Sequence, residues 1–330
     1  MDRALEAAER VMGRTAPNPS VGAVVVPAGT DEWFAGATSP PGGPHAEIVA
    51  LRSAGERARS GTLYVTLEPC DHHGRTPPCT DAILAAGIRR VVVGIEDPDR
   101  SVGGRGIAAL RAAGVEVEVG VGARAVTEQL AAYLKHRRTG RPWVVLKLAA
   151  TLDGRTAAPD GTSRWITGPV ARDDVHRLRA SSDAILVGAG TVRVDDPSLT
   201  VRLPPGDPWF RGPEHQPLRV VLGRAPGGAA VLPAREMDGD LGEVLDELGD
   251  AGVLQLLVEG GPTVAHAFHQ GGLVDRYVLY LAPVLFGGDD GRPLFAGPGA
   301  PTIELAWRGQ VRSVTSLEGD LRVELSPLDG

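Results

Sequence analysis

Apolar and polar positions along the chain follow two alternating periods, which predict a repeated series of strands and helices. Short β-branched apolar runs bounded by glycine or proline are typical of buried strands, whereas apolar residues three or four positions apart predict amphipathic helices. Single helices between successive strands favour a parallel or mixed sheet with helices on its faces. In the first part of the chain, helices are predicted at 4–12, 46–54, 80–86, 106–113 and 126–138, and strands at 21–26, 63–67, 91–95 and 115–119.

The same pattern resumes after a short segment without apolar periodicity. Thr139-Gly140-Arg141-Pro142 follows a helix with a basic last turn and is typical of a linker. We therefore expect an α/β protein with two domains, 1–142 and 143–330. In the second domain, strands are predicted at 143–148, 184–187, 218–222, 254–258 and 277–281, a helix at 170–180, a loop at 204–217 and a solvated helix face in the acidic stretch 236–250.

Composition is that of an ordinary soluble globular protein. A length of 330 residues fits two domains, and 42% hydrophobic with 23% charged residues argues against bulk disorder. No apolar run reaches the roughly 18 residues of a membrane helix, and the charged start of the chain is unlike a secretory signal, so the cytoplasm is expected. A net charge of −7 and 4% aromatic residues argue against a nucleic-acid-binding surface.

The strongest chemical signal is one histidine and two cysteines placed at the ends of predicted elements. His45 opens a helix and precedes Glu47 by two residues, Cys70 follows Pro69 after a strand, and Cys79 precedes a helix. One imidazole and two thiolates are a suitable set for a catalytic zinc site, which keeps a fourth position for water. Glu47 can take the proton of that water and pass it to a departing amine. This pattern is the zinc deaminase signature, although eight residues instead of two separate the cysteines.

Other interpretations of these residues remain open from the pattern alone. A histidine two residues before a glutamate is common, and two cysteines nine positions apart are often buried apolar side chains. A structural zinc site is a further alternative, and it needs a fourth protein ligand, which His72 or His73 would supply.

Three segments closely resemble one enzyme family, the bifunctional riboflavin-biosynthesis deaminase/reductases. Thr66-Leu67-Glu68-Pro69-Cys70-Asp71-His72-His73-Gly74-Arg75-Thr76-Pro77-Pro78-Cys79 and Pro17-Asn18-Pro19-Ser20-Val21-Gly22 are similar to the deaminase half. Leu146-Lys147-Leu148-Ala149-Ala150-Thr151-Leu152-Asp153-Gly154-Arg155 resembles the start of the reductase half. The resemblance implies an N-terminal cytidine-deaminase-like zinc domain and a C-terminal dihydrofolate-reductase-like domain.

The resemblance also implies two successive reactions. The first is zinc-dependent deamination of 2,5-diamino-6-(5-phosphoribosylamino)pyrimidin-4(3H)-one. The second is NADPH-dependent reduction of the ribosyl group to the ribityl group, which gives 5-amino-6-(5-phosphoribitylamino)uracil. The implied partners are a phosphorylated pyrimidine and further copies of the chain in a homo-oligomer, with no nucleic acid and no membrane.

In the first domain the resemblance implies two contacts with the substrate. Asn18 would bind an edge of the pyrimidine through its amide, which offers both a donor and an acceptor. Arg75 would bind the ribose phosphate, because a guanidinium can donate two parallel hydrogen bonds to phosphate. The alternatives are a turn residue between two prolines for Asn18 and a solvated loop charge for Arg75.

The second domain lacks the G-x-G-x-x-G pattern of a Rossmann site, but a different glycine turn is present. Val258-Glu259-Gly260-Gly261-Pro262-Thr263 follows a predicted strand and opens a helix, where backbone N–H groups can bind a phosphate. The resemblance implies NADPH contacts by Ala149, Trp165, Thr191, Asp195, Gly261, Pro262, Thr263, Val264, Ala265, His266 and Ala267. It implies substrate contacts by Ser163, Arg179, Leu199, Arg202 and Glu259, among which Arg179 and Arg202 are expected to bind the phosphate.

Two further positions are interpreted from their own chemistry. Lys147 lies in a predicted apolar strand, where an unpaired ammonium is costly to bury, so we expect it to contact the substrate, with Asp153 as a second candidate. A lysine that extends to the surface is the alternative. Gly223-Arg224 stands where the family tends to have aspartate and serine. Arg224 is expected to bind the 2′-phosphate of NADPH or else to mark an altered cofactor site.

These observations favour a bifunctional enzyme over three alternatives. The first alternative is a deaminase whose reductase-like domain is inactive or serves another substrate, as the altered residues at 223 and 224 would allow. The second is a nucleic-acid base deaminase with an appended binding domain. The third is a protein in which zinc is only structural.

Overall fold

The computed structural model describes residues 1–72, 77–99, 103–210 and 212–328, which divide into two compact units. Unit 1 contains Met1–Pro142 and Gly249–Leu254, and unit 2 contains Trp143–Leu248 and Gln255–Gly330. No helix in the described part of the chain has the length and apolarity needed to cross a lipid bilayer.

Unit 1 is an α/β unit whose elements alternate along the chain. A short 3-10 turn at Gly55–Ala58 follows its second helix. The elements are α1 (Asp2–Glu9), β1 (Gly22–Val26), β2 (Phe34–Ala37), α2 (Ala46–Ala54), β3 (Thr62–Leu67), α3 (Cys79–Ala85), β4 (Arg90–Ile95), α4 (Arg105–Ala112), β5 (Glu116–Val119), α5 (Ala123–Gln129) and α6 (Ala131–Thr139).

The strands of unit 1 form a mixed sheet in the order β2-β1-β3-β4-β5. β1 pairs antiparallel with β2 and β3, whereas β3, β4 and β5 are parallel. Side chains on the apolar strands, such as Val65 and Val93, are inaccessible to solvent within a core that the helices cover. The expected mixed sheet is confirmed. The pattern missed β2, which is only four residues long, and the single helix predicted at 126–138 is divided at Leu130.

The remaining elements of the chain build a larger sheet. A glycine, Gly188, ends one of its central strands and begins the following helix. The elements are β6 (Trp143–Thr151), β7 (Arg155–Ala157), α7 (Pro169–Ala180), β8 (Ala184–Gly188), α8 (Ala189–Asp195), β9 (Leu218–Leu222), β10 (Arg235–Met237), α9 (Leu241–Asp250), β11 (Gln255–Val258), α10 (Pro262–Gln270), β12 (Arg276–Ala282), β13 (Arg292–Pro293), β14 (Gly309–Leu317) and β15 (Asp320–Pro327).

The strand order of this sheet is β10-β9-β8-β11-β6-β12-β15-β14. The strands from β10 to β12 are parallel to their neighbours, and β15 and β14 continue the sheet in antiparallel pairing. β7 and β13 form a separate small ribbon. Carboxyl ends of parallel strands share one edge of a sheet, and ligands of α/β proteins bind in the crevice outside that edge.

Two expectations for the second part of the chain need correction. The sequence pattern predicted no strand after 281, but β14 and β15 form a long hairpin there. Most side chains of β14 are exposed, so it lacks the apolar run that marks a buried strand. The acidic stretch 236–250 is not one solvated helix, because its first residues belong to β10 and α9 begins at Leu241. α9 also buries Val244, Leu245 and Leu248.

Candidate active sites

Unit 1 brings the predicted metal ligands together beyond the carboxyl end of β3. His45 directly precedes α2, Cys70 lies three residues after β3, and Cys79 is the first residue of α3. Their ligand atoms all lie within 4.8 Å of one another. His45 Nδ1 lies 3.2 Å from Cys79 Sγ and 3.5 Å from Cys70 Sγ. Ligands about 2.0 to 2.3 Å from a zinc ion lie about 3.4 to 3.8 Å apart in a tetrahedron, so this spacing fits the ion.

The ionisation of the two cysteines also fits a cation. A hydrogen bond from the Cys79 side chain lowers the pKa of Cys70 to about 4, against burial, and His45 adds to this effect. The same hydrogen bond and burial raise the pKa of Cys79. The two sulfurs therefore compete for one proton, and a metal ion between them is what allows both to be thiolates. Two thiolates and an imidazole are a donor set that zinc prefers.

Glu47 lies beside these ligands in the first turn of α2 and is almost entirely removed from solvent. Its exposed fraction is 4%. Burial raises the pKa of its carboxyl to about 7. A carboxyl group with a pKa near neutrality can both accept and release a proton at physiological pH. The metal-ligand group found in the described residues does not include Glu47, which leaves its carboxyl for proton transfer.

Glu68, which the sequence analysis did not single out, anchors the loop that carries Cys70. Its buried carboxylate accepts hydrogen bonds from the backbone N–H groups of Asp97 at 3.2 Å, Gly104 at 2.9 Å and Ile107 at 3.1 Å. A Cβ atom at Gly106 would lie 1.9 Å from the carbonyl oxygen of Pro69, so only glycine permits this approach. The sequence shows an acidic residue directly before Pro69-Cys70, which could have drawn attention to Glu68. Its backbone partners are 29 to 39 positions away, so the local sequence does not indicate them.

Of the other residues expected near the first site, the structure describes Asn18 and His72 but not His73 or Arg75. Asn18 is half-buried between α1 and β1, and its backbone N–H donates to the carbonyl of Thr15 at 2.8 Å, as in a turn. Arg75 and His73 lie outside the described residues. His72 is exposed and does not belong to the metal-ligand group.

Unit 2 contains a cavity of about 1350 Å³ at the carboxyl edge of its parallel strands. It extends along the ends of β6, β8, β9 and β11 and brings together most of the residues expected to bind cofactor or substrate. Those that line it are Lys147, Ala149, Ser163, Trp165, Arg179, Thr191, Asp195, Leu199, Arg202, Arg224, Glu259, Gly261, Pro262, Thr263 and Val264.

Four of the expected residues do not line this cavity. Ala265 is buried on α10, the ring of His266 lies against Gly297, and Ala267 is exposed. Only the start of α10 lines the cavity, because Ala265 is turned into the core and His266 and Ala267 lie one turn farther along the helix than Pro262 and Thr263. Asp153 instead accepts hydrogen bonds from the Thr151 hydroxyl and the Gly287 backbone N–H, which holds a turn.

Glycines bring the starts of α8 and α10 close together at the edge of the cavity. A Cβ atom added at Gly188 would lie 2.8 Å from Val264 Cγ2, and one added at Gly260 would lie 2.5 Å from the side chain of Val264. The Gly261 N–H donates to Thr191 Oγ1 at 3.1 Å. At Gly190 a Cβ atom would meet nothing within 4 Å, so open space lies beside the backbone there. Adjoining helix starts with accessible backbone fit the diphosphate of a nicotinamide cofactor.

Lys147, Arg179 and Glu259 form a buried charge cluster in the cavity wall. Arg179 donates from Nε to Glu259 Oε1 at 2.6 Å and from Nη2 to Oε2 at 3.0 Å, and Lys147 Nζ lies 3.9 Å from Oε2. Burial opposes ionisation of Glu259, but the two cations prevail and lower its pKa to about 2. Burial lowers the pKa of Lys147, an effect that Glu259 opposes. Lys147 therefore does not extend to the surface.

The described lining of the cavity is strongly basic, although the whole chain carries a net charge of −7. A basic pocket in an acidic protein favours ligands with several negative charges. The acidic residues of the lining are Asp173, Asp195, Asp196 and Glu259, and the basic ones are Lys147, Arg164, Arg172, Arg179, Arg193, Arg202, Arg224 and Arg292.

Comparison with protein families covers both parts of the chain. Residues 1–95 match the model described as the cytidine and deoxycytidylate deaminase zinc-binding region. Residues 142–320 match the model described as the RibD C-terminal domain.

Comparison with individual proteins extends over almost the whole chain. It is 40% identical to the riboflavin biosynthesis protein RibD of Escherichia coli, covering 98% of both chains. It is 45% identical to the RibD of Mycobacterium tuberculosis, covering 98% of this chain and 96% of the relative. Among solved structures, Acinetobacter baumannii RibD superposes with a TM-score of 0.90 at 38% identity, covering 99% of this chain and 98% of the other. The Thermotoga maritima deaminase/reductase gives 0.86 at 35% identity, covering 99% and 97%.

Proposed function

This chain belongs to the RibD family of bifunctional riboflavin-biosynthesis proteins. We propose which of its residues carry out deamination and which carry out reduction. It is a deaminase and a reductase in one polypeptide. The observation that carries the proposal is the presence in one chain of a three-ligand zinc group beside a buried carboxyl and of a basic cavity with a glycine-lined cradle.

We assign deamination to residues 1–142 and reduction to residues 143–330. The assignment is supported by the two compact units and by the separate family models that match the two parts of the chain. The proposed substrate of the first unit is the diaminopyrimidinone that carries phosphoribosylamine, and the proposed product of the second is the corresponding ribityl compound.

Deamination exchanges an amino group on the pyrimidine ring for an oxygen atom from water. His45, Cys70 and Cys79 would hold the zinc ion, which when bound would supply Lewis acidity that lowers the pKa of water to about 7. Glu47 accepts the proton of the attacking water at its carboxylate and delivers it to the amino group, which leaves as ammonia. Asn18 orients the pyrimidine, and Arg75 binds the phosphate.

Reduction adds a hydride at the ribosyl C1 and a proton at a neighbouring heteroatom. NADPH supplies the hydride when bound. We propose that its diphosphate lies on the turn from Gly261 to Val264 and that Ala149, Trp165, Thr191 and Asp195 contact the rest of the cofactor. Ser163, Leu199 and Arg202 contact the substrate.

Lys147 is the proposed proton donor of this step. Glu259 is held ionised, so it has no proton to give, whereas the neighbouring ammonium of Lys147 has one. Arg179 was expected to bind phosphate, but its guanidinium is engaged by Glu259. We therefore assign Arg179 to orienting Glu259, which in turn positions Lys147.

Arg224 is the proposed contact for the 2′-phosphate of NADPH. Its side chain is 81% exposed at the cavity rim and pairs with Glu236 at 3.0 Å, so a phosphate would compete with that carboxylate. We expect Arg224→Ala to raise KM for NADPH about 10-fold, equivalent to about 1.4 kcal/mol, with little change for NADH. Glu236→Gln should lower KM for NADPH, because it removes the carboxylate that competes with the phosphate. Initial rates with both cofactors measure this, and equal changes for NADPH and NADH would contradict the assignment.

A homo-oligomer is proposed through the outer edge of the unit 2 sheet. β14 is the last strand of the sheet, and Val311, Val314 and the adjacent Leu321 are exposed apolar residues. An edge strand with exposed apolar side chains is a template for pairing with a second copy. Light scattering should report at least twice the mass of one chain, and Val314→Lys should reduce it. A monomeric wild type would rule this interface out.

The cytoplasm is the proposed compartment, and small molecules are the proposed partners. Both cysteines are free, and a thiolate zinc site requires reduced cysteines. The absence of a basic, aromatic-rich composition supports the exclusion of nucleic acid.

Mass spectrometry of the product from purified protein, the diaminopyrimidine phosphoriboside and NADPH tests the whole proposal. We expect a mass change that corresponds to deamination plus the addition of two hydrogen atoms. Deamination alone would support a reductase-like domain that is inactive or acts on another substrate. No reaction by the folded, zinc-loaded protein would support a structural role of zinc, and deamination of single-stranded RNA would support a base deaminase.

A further inference from the structure

The segment 196–202 forms one wall of the unit 2 cavity in a conformation that its neighbours must maintain. Asp196 and Leu199 have positive φ angles of 40° and 52°, which are unfavourable for residues with a side chain. Leu199 is fully buried, and the Asp196 carboxylate accepts the Ala230 N–H at 2.7 Å. These contacts hold the first half of the segment. Its second half is held by Gln216, which accepts the Val201 N–H at 2.7 Å and donates to the Val201 carbonyl at 3.3 Å, and by α7.

Two side chains on one face of α7 bind the second half of this segment. Arg179 Nη1 donates to the carbonyl oxygen of Thr200 at 3.1 Å. His176 Nδ1 accepts the backbone N–H of Arg202 at 3.3 Å. Because His176 and Arg179 are three residues apart on the helix, they contact successive peptide groups of the same segment.

His176 is suited to this acceptor role. It is buried in the cavity wall, and burial together with the charges of Arg179 and Arg202 lowers its pKa to about 4. The ring is therefore neutral at physiological pH and keeps an unprotonated nitrogen for the Arg202 N–H. A leucine of similar volume would fill the site but could not accept that hydrogen bond.

The side chain of Arg202 depends on the same segment for its own position. Its Nη1 donates to Ser198 Oγ and to Thr200 Oγ1, both at 2.9 Å. The position of the guanidinium is thus fixed by hydrogen bonds to side chains of the same segment. A shift of the segment away from α7 would therefore move the guanidinium as well.

We propose that His176 is a positioning residue of the reductase, which holds Arg202 where it binds the phosphate of the substrate. The inference rests on the proposed function, because that function assigns Arg202 to the substrate. It adds a residue on α7 whose proposed role is to act through the segment 196–202.

Kinetics of His176→Leu and His176→Asn test the proposal on the full-length protein. H176L should raise KM for the deaminated phosphoribosyl substrate about 10-fold or more, with kcat and KM for NADPH changed less than about 3-fold, since only binding is lost. H176N offers an amide oxygen near the position of Nδ1 and should restore KM to within about 3-fold of wild type. Deamination on the same chain should be unchanged in both variants.

The substrate lacking its phosphate is the decisive control. H176L and wild type should have equal KM for this riboside, because Arg202 has no phosphate to bind. An unchanged KM for the phosphorylated substrate, no rescue by H176N, or an equal defect with the riboside would each overturn the proposal. If H176L unfolds by circular dichroism, His176→Ala carries the same expectations. A wild type that deaminates but does not reduce would instead refute the proposed reductase function.

Discussion

Glu47→Gln is expected to lower the rate of deamination by about 10²- to 10⁴-fold. The amide has nearly the same shape as the carboxylate, but it cannot take a proton from water and pass it to the leaving amine. Because Glu47 is buried and lies outside the group of metal ligands, the substitution should leave one zinc ion per chain. Stopped assays for released ammonia, with zinc measured by atomic absorption, give both quantities.

The second activity of the chain provides an internal control for this variant. Reduction of the deaminated substrate should proceed at the wild-type rate in the same preparation. Glu56→Gln, at an exposed glutamate after the same helix, should change neither activity. A Glu47→Gln protein that keeps more than about a tenth of its deamination rate would contradict the role of Glu47 and favour a purely structural zinc ion.

Glu259→Gln should abolish reduction and destabilise unit 2 by about 3 to 5 kcal/mol. The substitution leaves the buried cations of Arg179 and Lys147 without a counter-charge, at side-chain exposures of 12% and 18%. The free energy of unfolding can be measured with urea and tryptophan fluorescence.

An exposed ion pair supplies the matched control. Arg3 and Glu6 have side-chain exposures of 58% and 50%, so Glu6→Gln should cost less than about 1 kcal/mol. An equal decrease in the free energy of unfolding for Glu259→Gln and Glu6→Gln would contradict the importance of the buried cluster.

The effect of Glu259 should also depend on pH. Its pKa falls from 4.5 to about 2 on folding, so its stabilising contribution is fully present above pH 4.5 and is lost as pH falls towards 2. The difference in stability between wild type and Glu259→Gln should therefore shrink across that window. A difference that stays constant from pH 5 to pH 2 would contradict this assignment.

Local patterns were sufficient for the elements that build the central sheets. β9 and α2 have the predicted bounds, because an apolar run or a helical period is a property of neighbouring residues. Elements with weak local signals were missed. β14 presents mostly exposed side chains, and β2 is too short to show a pattern.

The group of His45, Cys70 and Cys79, which fits a zinc ion, could be predicted for a related reason. Metal chemistry requires particular residue types, and each of the three stands at the end of a recognisable element. The cavity lining was predicted mostly through family resemblance. That route included Ala265, His266 and Ala267, which do not line the cavity, since a run of consecutive positions continues along α10 beyond the part of the helix that reaches the cavity.

By itself, then, the sequence determined most of the α/β elements, the group of His45, Cys70 and Cys79, and the glycine turn, because each is encoded by residues close together along the chain. Only the tertiary structure decided which buried charges meet. Arg179 and Glu259 are 80 positions apart, and no local pattern indicates that this guanidinium donates to that carboxylate. Likewise, Glu68 and His176 act on backbone N–H groups of distant segments. Any residue can supply such a donor, so no sequence pattern reveals these contacts.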